Sequence, residues 1–240
     1  MAYNFLELVN QVNRRFNEVE LTSATFANAK GFYSSAKDSV NAALRDINQS
    51  FLEWPFNHVE QEETMSTGVS RYTYPTDSST VDFDSFRIKE DSVLGNQTVT
   101  LRSITYEDYL RKYVGQEYST DTSKLGIPQY VVQTPSQEFI LVPSPDQDYE
   151  LVYEYYRVPV DLQNSTDVPF IPERFRHVII DGAMYHAYMF RGNEQSASMI
   201  KAKFDEEVKS MRIILINKYN YVTSTYIQQA GSNIAGARIK

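Results

Sequence analysis

The chain has no cysteine. Disulfides and thiolate metal sites are therefore excluded, and a reducing compartment is compatible with the composition. Long apolar runs are also missing. The longest, residues 213–216, falls far short of the roughly 20 residues that span a bilayer. The opening MAYNFLELVNQ lacks a basic stretch followed by an apolar run, so neither a signal peptide nor a membrane partner is expected. Acids disappear after Glu207, while Lys209, Arg212, Lys218, Arg238 and Lys240 follow it. The whole chain carries −8 and these five cations +5, so the part through Glu207 carries −13. An acidic body disfavours a groove that grips phosphates. A basic end on an acidic body either meets a partner with a negative surface or is a solvated terminus.

Catalytic signatures are equally sparse. GxSxG, HExxH and GxGxxG do not occur, and neither Gly231 nor Gly236 is followed by the Lys-Ser or Lys-Thr of a phosphate loop. Of the three histidines, His177 and His186 share a helical segment. At about 100° per residue their spacing puts them on opposite faces, so they cannot share a metal. His177, Asp181 and Tyr185 do share a face. Without a nucleophile they read as a structural hydrogen-bond cluster. Asp82 and Asp84 point to one side of a strand, but no second cluster completes a glycosidase pair or a calcium site. No catalytic, cofactor or metal site is expected, and a structural or binding protein is favoured over an enzyme.

What the chain does contain is periodicity. Phe5, Leu8, Val12, Phe16 and Val19 mark one amphipathic helix. Ala36, Val40, Leu44, Ile47 and Phe51 mark a second, with Ser34 or Ser35 as cap and Trp54-Pro55 as its stop. Between residues 57 and 160 the period changes to two, with turns at Pro75 to Ser79, Gly95-Asn96, Pro135, Pro143 and Pro145. A short helix over residues 104–113 interrupts the strands, with Thr105 as cap and Asp108 at its third position. Helical spacing returns at Pro172, through Phe175, Val178, Ile179, Gly182, Tyr185, Tyr188 and Met189, and stops at Gly192-Asn193. A final stripe of Ala197, Ile200, Phe204, Val208, Met211 and Leu215 completes four helices.

The predicted fold is α+β: a four-helix bundle with an inserted antiparallel β-sandwich or small barrel and an extended C-terminal tail. The expected boundaries are 1–56 with 168–220 for the bundle, 57–167 for the β module and 221–240 for the arm. The arm has two glycines and no periodic face. It cannot bury enough apolar area to offset about 1–2 kcal/mol of backbone entropy per residue, so it is expected to order only on a partner.

Two separated segments carry a family resemblance. Residues 36–60, AKDSVNAALRDINQSFLEWPFNHVE, combine an Ala…Leu-x-x-Ile-Asn helix with a Trp-Pro-Phe-Asn step into acidic strands. Pro172-Glu173-Arg174-Phe175-Arg176 then opens a helix with Ala183 and Tyr185 that ends at Phe190-Arg191-Gly192. In this order they resemble the head-to-tail adaptor proteins of tailed bacteriophages, most closely the form similar to tail tubular protein A. Pro55 inside the first step and the long stretch between Gly95 and Pro145 depart from that pattern.

The resemblance implies a structural protein of the virion neck, assembled in the host cytoplasm. It implies a ring of twelve copies under the portal protein that carries a downstream tail or nozzle protein. DNA passes its channel without specific binding. The family's C-terminal portal contact maps onto residues 221–240. There Tyr226, Ile227, Ile234 and Ile239 are the expected anchors, and Arg238 and Lys240 are expected to pair with acids on the portal. Two rivals stand beside it. One is a carbohydrate- or receptor-binding module using Tyr72, Tyr74, Tyr153, Tyr155 and Tyr156. The other is a hydrolase working through Asp82 and Asp84.

Overall fold

A computed structural model describes residues 3–89, 98–117 and 122–215 of the 240. The chain divides into two compact units. One is Met1–Ser50 with Leu162–Lys240, and the other is Phe51–Asp161.

The first unit is helical. Helix α1 (Phe5–Arg15) begins where the Asn4 side chain accepts the Glu7 N–H at 3.0 Å. Phe5, Leu8 and Val12 form its fully buried stripe. The predicted extension through Val19 is not made. Asn17 has φ 57°, which ends the helix, and Val19 is exposed. A single turn, α2 (Ser23–Phe26), is closed by a reciprocal Thr22–Thr25 capping box. Gly31, at φ +60°, turns the chain into α3 (Phe32–Ser50), ahead of the two serines expected to cap it. After a 3-10 turn over Glu173–Phe175 comes α6 (Arg176–Phe190), then Gly192 at φ +71° and α7 (Glu194–Leu215).

The expected four-helix bundle is not formed. Helix α6 is central, packed by α1, α3 and α7, while α7 packs chiefly on α6. The physical reason lies in the composition of α6. Val178 through Met184 are all buried, so this helix has no wet face along that stretch and takes neighbours all round. Met189, assigned to its stripe from spacing, is 48% exposed. Gly182 permits the close approach. A Cβ there would lie 2.7 Å from Phe204 on α7 and 2.9 Å from the Ala43 methyl on α3.

The second unit holds two four-stranded sheets, a substantial part of the fold, and this too departs from a bundle-centred fold. Sheet one runs β1 (His58–Met65), β8 (Tyr149–Arg157), β3 (Ser78–Ile88) and β4 (Val99–Thr100). Sheet two runs β2 (Arg71–Thr73), β7 (Glu138–Val142), β6 (Tyr130–Gln133) and β5 (Arg102–Ile104). The pairs are antiparallel except β5–β6, which is parallel. The insertion is therefore mixed, and the purely antiparallel sandwich or barrel expected from the sequence is not formed. Helices α4 (Tyr106–Lys112) and α5 (Val114–Glu117) separate β5 from β6 in sequence, and a parallel neighbour needs such a crossover. Thr105 caps α4 by accepting the Asp108 N–H at 3.2 Å, as its sequence indicates.

Phe86 (β3), Tyr153 (β8) and Phe139 (β7) form the centre of the β unit. Phe86 and Tyr153 stack at 4.7 Å, and Phe139 lies edge-on to both. Met65, Ile88, Val131, Leu141 and Leu151 close the core around them.

Candidate interaction surfaces

Three polar arrangements stand out, one inside the helical unit and two in the β unit. Asp181 is 2% exposed in the otherwise apolar wall of α6. Arg15 from α1 and Lys203 from α7 both donate to it, one to each oxygen. Burial works to raise the pKa of its carboxyl, yet the two cations prevail and hold it below the usual range. One carboxylate thus ties three helices. The expected His177–Asp181–Tyr185 cluster is not what forms: Asp181 takes Arg15 and Lys203, while Tyr185 lies against His186. His186 in turn meets Asp46 at 2.9 Å. Glu207 lies one turn beyond Lys203, 3.4 Å from its ammonium. Burial, and then Asp181, push its pKa up.

In the β unit, Arg71 on β2 grips Glu117 on α5 through two nitrogens, the outer one at 3.0 Å. The Tyr109 hydroxyl of α4 donates to the same carboxylate. Arg71 is the chief cause of the lowered Glu117 pKa. These bonds fasten the crossover helices to the edge of sheet two. Sequence reading missed both clusters. Its one available signal was an Asp in the middle of an apolar helix.

The outer face of sheet one is charged. Arg87 reaches Glu60 and Glu154, the latter at 3.2 Å. Lys89 bridges Glu62 at 3.0 Å and Glu150 at 3.5 Å. His58 meets Glu154 at 2.9 Å and is the main cause of that carboxyl's lowered pKa, with Arg87 adding to it. Asp82 uses one oxygen to accept the Asp84 N–H at 3.0 Å, an Asx-type local bond. Among the described residues no group of three His, Asp or Glu could hold a metal. Four of the five tyrosines of the rival binding reading are occupied inside, while Tyr156 is half-buried and lies edge-on to His58. Tyr153 and Tyr155 are buried, and Tyr72 and Tyr74 pack against the same core.

No described helix is long and apolar enough to cross a membrane. The predicted docking residues Tyr226, Ile227, Ile234, Arg238, Ile239 and Lys240 lie outside the described residues. The last described turn of α7 leads toward them with Ile213 and Ile214 exposed at 75% and 60%.

The sequence profile of the SU10 adaptor protein family matches residues 3–227, nearly the whole chain and both units. This supports a phage head-to-tail adaptor of structural, non-enzymatic kind; the finer likeness to tail tubular protein A is not singled out. A search of the curated proteins finds no match.

Proposed function

The chain belongs to the SU10 adaptor protein family, and we propose that it forms a ring at the virion neck, docked under the portal and carrying the next tail component. The match across residues 3–227 is the observation that carries this reading. Twelve copies, a channel for the genome and assembly in the host cytoplasm complete it. A net charge of −8 suits a channel wall that repels DNA rather than holding it, and it opposes association of free copies without a template. Residues 221–240 serve as the docking arm. Tyr226, Ile227, Ile234 and Ile239 bury apolar surface on the portal, and Arg238 and Lys240 face its acids. The exposed isoleucines at the end of α7 and the absence of acids after Glu207 support that assignment.

Electron microscopy of the purified chain mixed with its portal tests the proposal. A ring of density added to one end of the portal is expected. Portal particles left bare at micromolar chain would overturn it.

A further inference from the structure

Strand β1 is the outer strand of sheet one, and its eight residues pair with β8 on one side only. Among the described residues nothing pairs with its other side. The direction of its backbone groups follows from its partner. Glu154, opposite Glu60, gives its N–H to the Ser85 hydroxyl at 2.8 Å, toward β3. Glu150, opposite Thr64, accepts the Lys89 N–H at 2.8 Å, again toward β3. In an antiparallel ladder a residue whose polar groups face one neighbour leaves the other side unbonded. Glu60, Glu62 and Thr64 therefore aim their own N–H and C=O groups away from the sheet. Among the described residues the Glu62 carbonyl is reached by the neighbouring Gln61 side chain alone, at 3.1 Å. This is an open edge, the kind that accepts an added strand.

Its chemistry selects what can be added. On the outer face Glu60 and Glu62 are 52% and 58% exposed. The cations that meet them, Arg87 on β3 and Lys89 just after it, reach across β8 from the side away from the free edge. A second copy of β1 laid alongside would set acid against acid, which disfavours self-pairing. On the inner face Val59 packs against the aromatic core, so apolar side chains beside it would extend that core.

We infer that the free edge of β1 takes an extended segment of another protein, one without acids, in which Lys or Arg alternates with Val, Ile or Thr. The basic side chains meet Glu60 and Glu62, the apolar ones cover Val59, and the main chain bonds to Glu60, Glu62 and Thr64. The inference rests on the β1 edge alone and does not depend on the portal reading.

Amide hydrogen exchange on the full chain tests it, with a blocked nonapeptide of alternating Lys and Val as probe. Exchange at Glu60, Glu62 and Thr64 should slow about tenfold on binding, while Val59, Gln61 and Glu63, already bonded to β8, stay unchanged. The same peptide N-methylated at alternate residues keeps its charge but loses its donors, and should not protect. In the protein, Thr64→Pro removes one outward N–H without a change in charge; an edge position tolerates it, and binding should fall about tenfold. Equal binding of the N-methylated peptide, or undiminished binding to a folded Thr64→Pro chain, would reduce the contact to charge attraction and overturn the inference. Protection already present in the chain alone, rising with its concentration, would put a second copy at this edge and overturn it as well.

Discussion

The two units use charge in opposite ways. The helical unit encloses one carboxylate, Asp181, and spends two cations from two other helices on it. The β unit keeps its core aromatic and lays its ion pairs across a wet face, where Arg87 and Lys89 bridge four glutamates. A buried charge is a fixed obligation, because it must be matched or it destabilises strongly. An exposed network contributes little to stability and instead shapes what can approach. Charge thus sets helix packing in one unit and partner selection in the other.

The largest effect should come from stranding Asp181. Arg15→Met with Lys203→Met keeps most of the stem packing and leaves the carboxylate alone in the wall of α6. A buried charge without a partner costs roughly 3–5 kcal/mol, so the helical signal at 222 nm should melt far earlier than in the parent. Adding Asp181→Leu should recover much of the loss, since an apolar residue fits that wall. The pH dependence has a definite sign. The Asp181 pKa is lowered in the fold, so its contribution is complete above the unfolded value of about 3.9. It is lost as pH falls through the folded value. The double variant should lose that acid-sensitive part of its stability. Unchanged melting of the double variant would mean that the triad does not hold the helices together.

The triad also marks where sequence reading stops. The stripes of α1, α3 and α7 were legible because each of those helices has one dry face, and Thr105 was legible as a cap because the rule is local. Helix α6 was harder. A helix buried on every side has no stripe to read, and its spacing placed Met189 in a core that it does not enter. Gly182 stood in the right pattern without showing that Ala43 and Phe204 close over it. Asp181 was assigned partners from its own helix because only those are visible in spacing; its real partners are 166 and 22 residues away. The strands were legible as a change of period. Their order was not, because pairing joins residues as distant as Glu60 and Glu154. The parallel β5–β6 pair hid behind a three-residue strand too short to show a period.

A smaller effect is expected in the β unit. Arg87→Met removes both of its carboxylate contacts while leaving the stem over the sheet. Arg87 and Glu154 side chains are each 30% exposed, and Glu60 is 52% exposed. Water and salt screen such pairs, so the loss should be about 0–1 kcal/mol and should shrink further in 1 M salt. The near-ultraviolet signal of the aromatic core reports it. A loss as large as that in the helical double variant would erase the contrast between the units, and the surface network would then be structural.

The smallest effect on stability, and the largest on assembly, should follow truncation after Asn220. Residues 221–240 contribute two glycines and no periodic apolar face to fold against. Each ordered residue costs about 1–2 kcal/mol of backbone entropy, and only contact with a partner can offset that over twenty residues. In the free chain the arm should therefore add almost nothing to stability, and its removal should leave the melting temperature within experimental error. On a portal ring the same segment would be repeated once per copy, and repetition converts weak single contacts into firm attachment. Truncation should then abolish ring density on the portal. Reversing only Arg238 and Lys240 should weaken binding at low salt and matter little at high salt, since exposed charge pairs are screened there. Full portal binding by the truncated chain would remove the arm from the docking contact and move that role to a folded surface. The exposed Ile213 and Ile214 of α7 would then be the first residues to change.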